Sequence, residues 1–325
     1  MSILVVGGAG YIGSQTVKAL VAAGMQPVVF DNLSTGHRWA LRDGVPFEEA
    51  DLADRAAIAA ALARHRVAAV IQFAALIQVG ESMTAPGTYF RGNIVNTLNL
   101  LDAMVDAGVR DIVFSSTAAV YGDPVRVPLD EDHPLAPVSP YGESKLFVER
   151  ALGWYGRAHG IRSAVLRYFN AAGADPDGTL GEAHPVESHL IPLAIRAAQG
   201  RAKPLALFGT DYPTPDGTAL RDYVHVADLA DAHVAALQRL GGGGDSFTAN
   251  VGTGRGHSVR QVIAAVEKVS GLPVPHQVAP RRAGDAPVLV AAAGRIRALL
   301  SWSPRYPELE QIVAHAWAWE QQRRH

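Results

Sequence analysis

The chain has 325 residues with 48% hydrophobic and 18% charged side chains, the balance of an ordinary globular protein with room for a sizeable core. A formal net charge of −2 gives no reason to expect nucleic acid or an anionic membrane as partner. Cysteine is absent, which excludes disulfides, thiolate metal sites and cysteine nucleophiles together. No apolar run reaches the roughly 18 residues of a membrane span, and no basic, cleavable leader precedes the first strand-like run, so the cytoplasm is the expected compartment.

Ile3-Leu4-Val5-Val6 is a continuous apolar run of the kind that a parallel strand covered on both faces requires. Gly7-Gly8-Ala9-Gly10-Tyr11-Ile12-Gly13 follows, and helical periodicity then runs from Tyr11 to Ala23, ending at Gly24. Glycines between a strand and a helix permit a tight turn and let backbone approach a pyrophosphate at the helix N-terminus, although a bare turn uses the same residues. Val28-Val29-Phe30 predicts the second strand and ends at Asp31-Asn32, 18 residues after Gly13. A carboxylate there can accept both adenosine ribose hydroxyls and would repel a 2′-phosphate, which favours NAD over NADP. The alternative is a simple Asx-turn, since Ser34-Thr35-Gly36 follows. Asp51-Leu52 stands where it can reach the adenine edge or cap the helix predicted over Arg55 to Arg64.

Further strands are predicted at Ala69 to Phe73, Ile112 to Phe114 and Ala164 to Leu166, with helices at Ile94 to Ala107 and Pro140 to His159. This alternation predicts an α/β fold with a doubly wound, Rossmann-type parallel sheet. After Asn170 the elements shorten and prolines interrupt the chain, consistent with a smaller, mixed α/β C-terminal domain. The expected division is residues 1–170 for the dinucleotide, with returning segments at about 222–252, interleaved with a substrate domain over 171–325. Both Asp222 to Val226 and Phe247 to Val251 read as returns to the sheet. Asp130-Glu131-Asp132 reads as a solvated loop, and Trp302, Trp317 and Trp319 as packing residues. His225 and His233 have no third ligand at metal spacing and read as structural, so no metal is expected.

Tyr141 and Lys145 lie one helical turn apart on one face. A cation beside a phenol favours the phenolate and draws its pKa down from about 10, making a base that can take the proton of an alcohol. The hydroxyls of Ser115-Ser116-Thr117 end the preceding strand, at the sheet edge where open α/β proteins bind ligands. Turn chemistry is the plainer reading of that cluster alone.

Taken together, Gly7, Gly10, Gly13, Asp31, Thr117, Tyr141 and Lys145 resemble the extended short-chain dehydrogenase/reductase superfamily. The finer resemblance is to UDP-glucose (UDP-galactose) 4-epimerases. It is carried by Asp31 to Gly36, Phe73-Ala74-Ala75, Val79 to Ser82, Ser116 to Gly122, Pro140 to Lys145, Arg167 to Asn170, Phe208 to Thr214, Asp216 to Thr218, Arg221 to Val226 and Pro280 to Asp285, across nearly the whole chain. The resemblance implies a retained NAD and a C4 epimerisation of UDP-glucose and UDP-galactose through a 4-keto sugar. Tyr141 would be the base, Lys145 would hold the nicotinamide ribose, and Thr117 would bond the sugar O4. Cofactor contacts would come from Gly7, Gly10, Tyr11, Ile12, Gly13, Asp31, Asn32, Asp51, Leu52, Phe73, Ala74, Ala75, Asn93, Ser115 and Tyr168. Substrate contacts would come from Asn170, His189, Leu190, Leu207, Phe208, Arg221, Tyr223, Arg282, Asp285 and Leu289, with both arginines on the diphosphate. A homodimer through helices near 94–107 and 140–159 is also implied.

Three departures from the family pattern stand out. Ile77-Gln78 replaces a lysine near the cofactor diphosphate, His189 stands where asparagine is common, and Leu289 occupies a gate position often filled by tyrosine. The last leaves open another UDP-sugar, such as UDP-xylose/UDP-arabinose or an N-acetylated hexose. A 4,6-dehydratase is disfavoured because Ala118 and Ala119 follow Thr117 where that chemistry needs an acid and a base. A silent NAD-binding regulator would have no use for the Thr117, Tyr141 and Lys145 set.

Overall fold

In the computed structural model, which describes residues 1–282 and 285–322, strand and helix alternate through the first half of the chain. The elements are β1 (Ser2–Val6), α1 (Tyr11–Ala22), β2 (Gln26–Asp31), β3 (Phe47–Glu49), α2 (Arg55–Arg64), β4 (Ala69–Gln72), α3 (Val79–Thr84), α4 (Pro86–Tyr89), α5 (Asn96–Ala107), β5 (Asp111–Thr117), α6 (Pro140–His159) and β6 (Arg162–Tyr168). The helix expected from Ile94 begins earlier, because a π-helical stretch, Phe90–Val95, joins α4 to α5. The bounds of α6 follow from local chemistry. Ser139 accepts from the Gly142 N–H at 3.2 Å, Pro140 takes the first helical position, and Gly160 ends the helix at φ 71°.

The second half contains β7 (Asn170–Ala172), α7 (Leu190–Ala198), β8 (Leu205–Phe208), β9 (Leu220–Arg221), β10 (Tyr223–His225), α8 (Val226–Gly241), β11 (Phe247–Val251), β12 (His257–Ser258), α9 (Val259–Ser270), β13 (His276–Ala279), β14 (Val288–Leu289), α10 (Gly294–Leu300) and α11 (Leu309–Gln322). One seven-stranded parallel sheet runs β11-β6-β5-β4-β1-β2-β3, the Rossmann-like doubly wound order. Along β1, Ile3 and Val5 pack into a core that contains α1 and α8 residues, while Leu4 and Val6 pack into a core with α2, α5 and α6 residues. Both faces are dry, which is why the strand reads as an unbroken apolar run.

Phe247–Val251 joins the sheet beside β6 as the sequence suggests, but the Tyr223–His225 segment does not. It pairs with β7 in a separate two-stranded sheet, because the chain has already left the main sheet at Asn170. Smaller mixed sheets, β12-β9-β14 and β13-β8, accompany a third core built on α7, α9 and α11. Trp302 and Trp319 are buried and donate to the carbonyls of Asp228 and Glu182, and Trp317 packs against the third core, so all three are structural. Glu131 departs from the expected solvated loop. It is buried, accepts from the Asn250 N–H at 2.7 Å and faces Arg295, so it ties its loop to β11. Among the described residues, no helix is long and apolar enough to cross a membrane.

His225 and His233 are structural, as expected, and both are fully buried. His225 accepts from the Ala227 N–H and meets His315 at 2.9 Å, while the Nδ1 of His233 meets the Leu229 carbonyl at 2.8 Å. Burial drives their pKa values down, to about 3 for His225 and about 4 for His233. An unfolded histidine titrates near 6.5, so below that pH the unfolded chain binds protons that the folded one refuses. Their stabilising contribution is therefore whole above pH 6.5 and drains away as the pH falls towards 4. At pH 5 the loss is about 2 kcal/mol for each, and urea unfolding at pH 7 and pH 5 should show it. An unchanged stability would mean that the two rings are not held neutral.

Candidate active site

Sheet order reverses between β1 and β4, and the glycine loop lies at that switch point. Gly7 has φ +80°, and a Cβ on it would stand 2.5 Å from the Ala74 nitrogen, so the loops after β1 and β4 touch only because it is glycine. A Cβ on Gly13 would meet the Gly7 carbonyl oxygen at 2.1 Å. Gly10 caps α1 without a side-chain bond, and no acidic residue occupies the first turn. The first amides of that helix, at Tyr11, Ile12 and Gly13, therefore remain as donors for an anion. Asp31 ends β2, buried, accepting from Ala9 N–H at 3.0 Å and Leu33 N–H at 2.8 Å, which fixes its carboxylate beside the loop. The Asx-turn is thus formed, and it leaves the Asp31 carboxylate at the end of β2 beside the glycine loop. A glycine cradle, free helix amides and a fixed carboxylate fit a dinucleotide with a free adenosine ribose, which is NAD.

Around that frame the other residues expected on the cofactor side take distinct places. Asn32 donates to Asp51, whose other oxygen accepts from the Ala53 N–H, and it is Asp54, not Asp51, that caps α2. Leu52 is buried in the core under this edge. Phe73 lies against His233, and Ala74 and Ala75 continue the loop that meets Gly7. Asn93 is buried and spends its amide on the Leu76 backbone and Ser144, so it sets the 76 loop against α6. Ile77 is exposed, and it and Gln78 put no charge where other family members carry a lysine.

Thr117 is the last residue of β5, and its hydroxyl accepts from the Ala119 N–H at 3.1 Å, shaping a short 3-10 turn over Ala118–Val120. Tyr141 and Lys145 come to it from the first turns of α6. Burial raises the Tyr141 phenol above its ordinary value, and a hydrogen bond with Thr117 opposes that rise. The expected lowering by Lys145 is not present, which corrects the reading from spacing alone. The Lys145 ammonium is turned to the Ser115 carbonyl, 2.9 Å away, and lies over the Phe114 ring at 4.9 Å. Burial brings its own pKa down to about 7, with Glu149 one turn on pulling the other way. Ser115 bonds Tyr168 through its hydroxyl, which places both beside the lysine on the same strand ends.

Most residues expected on the substrate side lie on or beside the small sheets. Arg221 donates to the Leu220 carbonyl at 2.8 Å and pairs with Asp285 at 3.2 Å. The guanidinium of Arg282 stacks over Phe208 at 3.9 Å. Ala283 and Gly284, inside the segment that carries the resemblance, lie outside the described residues. Strand β14 pairs Leu289 with Arg221 in register, and Leu289 also packs against a cluster of Ala118, Val120, Tyr121, Leu129 and Leu146. The small sheets and the Thr117 turn are thereby joined through one side chain. Asn170 opens β7 under Asp222, and Leu190 opens α7 directly after His189. Leu207 and Tyr223 are not brought to a surface. Both are packed inside, Tyr223 within the third core.

Two sets of residues escaped the sequence reading. Asp222 is fully buried and accepts from Thr253 N–H, Thr253 hydroxyl, Gly254 N–H and Ala291 N–H, so it locks three chain segments behind Arg221. The other set is Glu182, His184 and Glu187, which converge with His189, already expected on the substrate side, beside Tyr11. There His184 is raised to about 9, since burial is outweighed by its bonds to the two carboxylates, and Glu182 is lowered to about 2 by His189 and His184 against its burial. Its only sequence signal is the spacing Glu-x-His-x-x-Glu-x-His.

Comparison with known proteins agrees with this geometry. The chain is 53% identical over 318 residues to the UDP-glucose 4-epimerase of Azospirillum brasilense, covering 98% of this chain and 91% of that protein. A crystal structure of the Brucella ovis UDP-glucose 4-epimerase in complex with NAD superposes with a TM-score of 0.95 at 46% identity, covering 97% of both chains. The UDP-Glc/GlcNAc 4-epimerase of Campylobacter jejuni superposes with a TM-score of 0.87 at 44% identity over 99% of both chains. The sequence pattern of the NAD dependent epimerase/dehydratase family matches residues 3–252, and the chain belongs to that family.

Proposed function

We propose that this protein interconverts UDP-glucose and UDP-galactose by inverting carbon 4 of the sugar, with NAD as a retained cofactor. One observation carries the reading. A half-buried tyrosine, set beside Thr117 and one turn from a buried lysine, stands at the carboxyl end of β5 in a Rossmann-type sheet. Relatives named UDP-glucose 4-epimerase across nearly the full length support the same reading.

In this reading the glycine loop and the α1 amides hold the cofactor diphosphate, and Asp31 holds the adenosine ribose. Tyr141 takes the proton of the sugar 4-hydroxyl, and Thr117 keeps that oxygen in line. NAD, when bound, supplies the acceptor for the C4 hydride and gives it back. The resulting 4-keto sugar turns over in the site, and Tyr141 returns the proton to O4 after hydride reaches the opposite face. Arg221 and Arg282 hold the diphosphate, Asp285 the uridine ribose and Phe208 the uracil, so binding energy falls on the nucleotide and leaves the hexose free to turn. Residues 1–170 with 222–252 serve the cofactor and 171–325 the UDP-sugar.

Leu289 favours a second, wider reading. A leucine beside the Thr117 turn leaves more room than a tyrosine, which suits an N-acetyl group at the neighbouring carbon. A panel of UDP-glucose, UDP-galactose, UDP-N-acetylglucosamine and UDP-xylose, read by NMR of the anomeric products, tests both. Conversion of UDP-galactose is expected, and no change in it would end the hexose reading. Conversion of UDP-N-acetylglucosamine at a comparable rate would establish the wider pocket.

A homodimer through α5 and α6 belongs to the same proposal, as does a cytoplasmic setting. Phe147 and Trp154 are exposed on α6 and Val95 at the end of the π-helical stretch that leads into α5; Trp154 is 66% accessible even with the Arg157 guanidinium 3.9 Å from its ring centroid. Replacing Phe147 and Trp154 together by Asp is expected to give a monomer in sedimentation, whereas a wild-type monomer would remove the proposal.

A further inference from the structure

We propose that Glu182, His184, Glu187 and His189 form a binding site for one divalent transition cation of the Zn²⁺ class. The four side chains come from eight consecutive residues between β7 and α7, and their donor atoms all lie within 4.8 Å of one another. The Glu182 Oε1 atom is 3.0 Å from the Nδ1 of His184 and also bonds the Nδ1 of His189. From Glu187, Oε1 lies 3.7 Å from the first imidazole and 3.9 Å from the second. Tetrahedral Zn²⁺ with bonds of about 2.0–2.2 Å separates its donors by roughly 3.3–3.6 Å, and the four side chains bracket that spacing.

The donor chemistry narrows the cation. Two imidazoles suit Zn²⁺ and its late neighbours, whereas Ca²⁺ and Mg²⁺ prefer oxygen alone. Two carboxylates balance a double positive charge in a site where Glu182 and Glu187 are almost wholly buried. An outer layer is also in place. The Glu182 carbonyl accepts from Trp319, the Ser188 and His189 amides donate to Glu187, and Arg196 approaches its other oxygen at 3.5 Å. Since Glu187 Oε1 already accepts two amides, Glu182, His184 and His189 are the primary ligands and Glu187 closes the fourth side.

A site closed by four protein groups is structural in type. It would fasten the 173–189 segment between the glycine loop and α7. The Tyr11 ring meets His184 edge-on at 6.4 Å and its hydroxyl donates to the Gly173 carbonyl, while His189 leads directly into α7. The inference does not rest on the reaction proposed above, although it takes up His189, one of the residues expected on the substrate side.

The test uses the full chain stripped with a chelator, titrated with Zn²⁺ by calorimetry and with Co²⁺ by visible absorption. One equivalent per chain is expected, with the intense d–d bands of tetrahedral Co²⁺ and a higher melting temperature on Zn²⁺ addition. His184→Ala and Glu182→Gln should each weaken Zn²⁺ binding by more than the roughly 10–100-fold that loss of an outer partner costs. Circular dichroism checks that the variants fold, and if either fails to, the wild-type stoichiometry and Co²⁺ spectrum decide alone. Absence of saturable binding, an octahedral Co²⁺ spectrum, or undiminished binding by folded His184→Ala would overturn the site.

Discussion

Tyr141→Phe should reduce turnover by about 10³-fold, within the 10²–10⁴ that a positioned acid–base group contributes, while NAD stays bound. The change removes one oxygen and keeps the ring that packs at the start of α6. On the proposed reading, what is lost is the proton acceptor at the sugar 4-hydroxyl, together with the group beside Thr117. Burial holds the phenol above its ordinary value, so on the proposed reading it needs positive charge beside it to act as a base near neutral pH. Steady-state rates and the NAD content of the same preparation provide the check. A variant that keeps more than about a tenth of wild-type turnover, with NAD present, would show that another group takes the proton.

Lys145→Met is expected to cost about 10²-fold in kcat, and methionine is the informative replacement because it nearly conserves volume. Lys145 is 3% exposed, between the Phe114 ring and the Ser115 carbonyl, so truncation would add a cavity to the lost charge. Two roles can be separated. If the ammonium serves to favour the Tyr141 phenolate once the site is filled, the rising limb of the pH–rate profile moves to higher pH in the variant. If it chiefly holds the nicotinamide ribose, NAD affinity falls and the limb stays in place. An unaltered kcat and an unaltered NAD affinity together would remove Lys145 from the machinery.

The parts of this molecule that sequence made legible are those fixed within one turn or one loop. The run Ile3 to Val6, the glycine loop, α1 and Asp31 are contiguous, and each local preference agrees with its neighbour. Helix α6 was legible to the residue because Pro140 and Gly160 bound it. Helical spacing also put Tyr141 and Lys145 on one face, but spacing says nothing of burial. Burial is what raises the phenol and lowers the ammonium, reversing the expected balance. Pairings over long separations were illegible for a different reason. Strand β10 is only three residues long and its apolar pattern suits any sheet, so its choice of β7 over the main sheet depends on where the chain has been led. Asp222, Glu131 and the Glu182 to His189 group likewise gain their meaning from partners brought in by folding.

The edge position of β11 has a bearing on how the chain is made. Strand β6 is complete at Tyr168, but its outer row of amides and carbonyls finds no partner until Phe247–Val251 arrives. Helix α8, which covers the same face of the sheet, is also synthesised in that interval. At roughly 5–20 residues per second, a ribosome leaves the nascent sheet open-edged and half-covered for several seconds. An open parallel edge is a template for strand addition by a neighbouring chain. Crowded polysomes and heavy overexpression would therefore penalise this protein before its last third emerges, and a truncated N-terminal half would inherit the same exposed edge permanently.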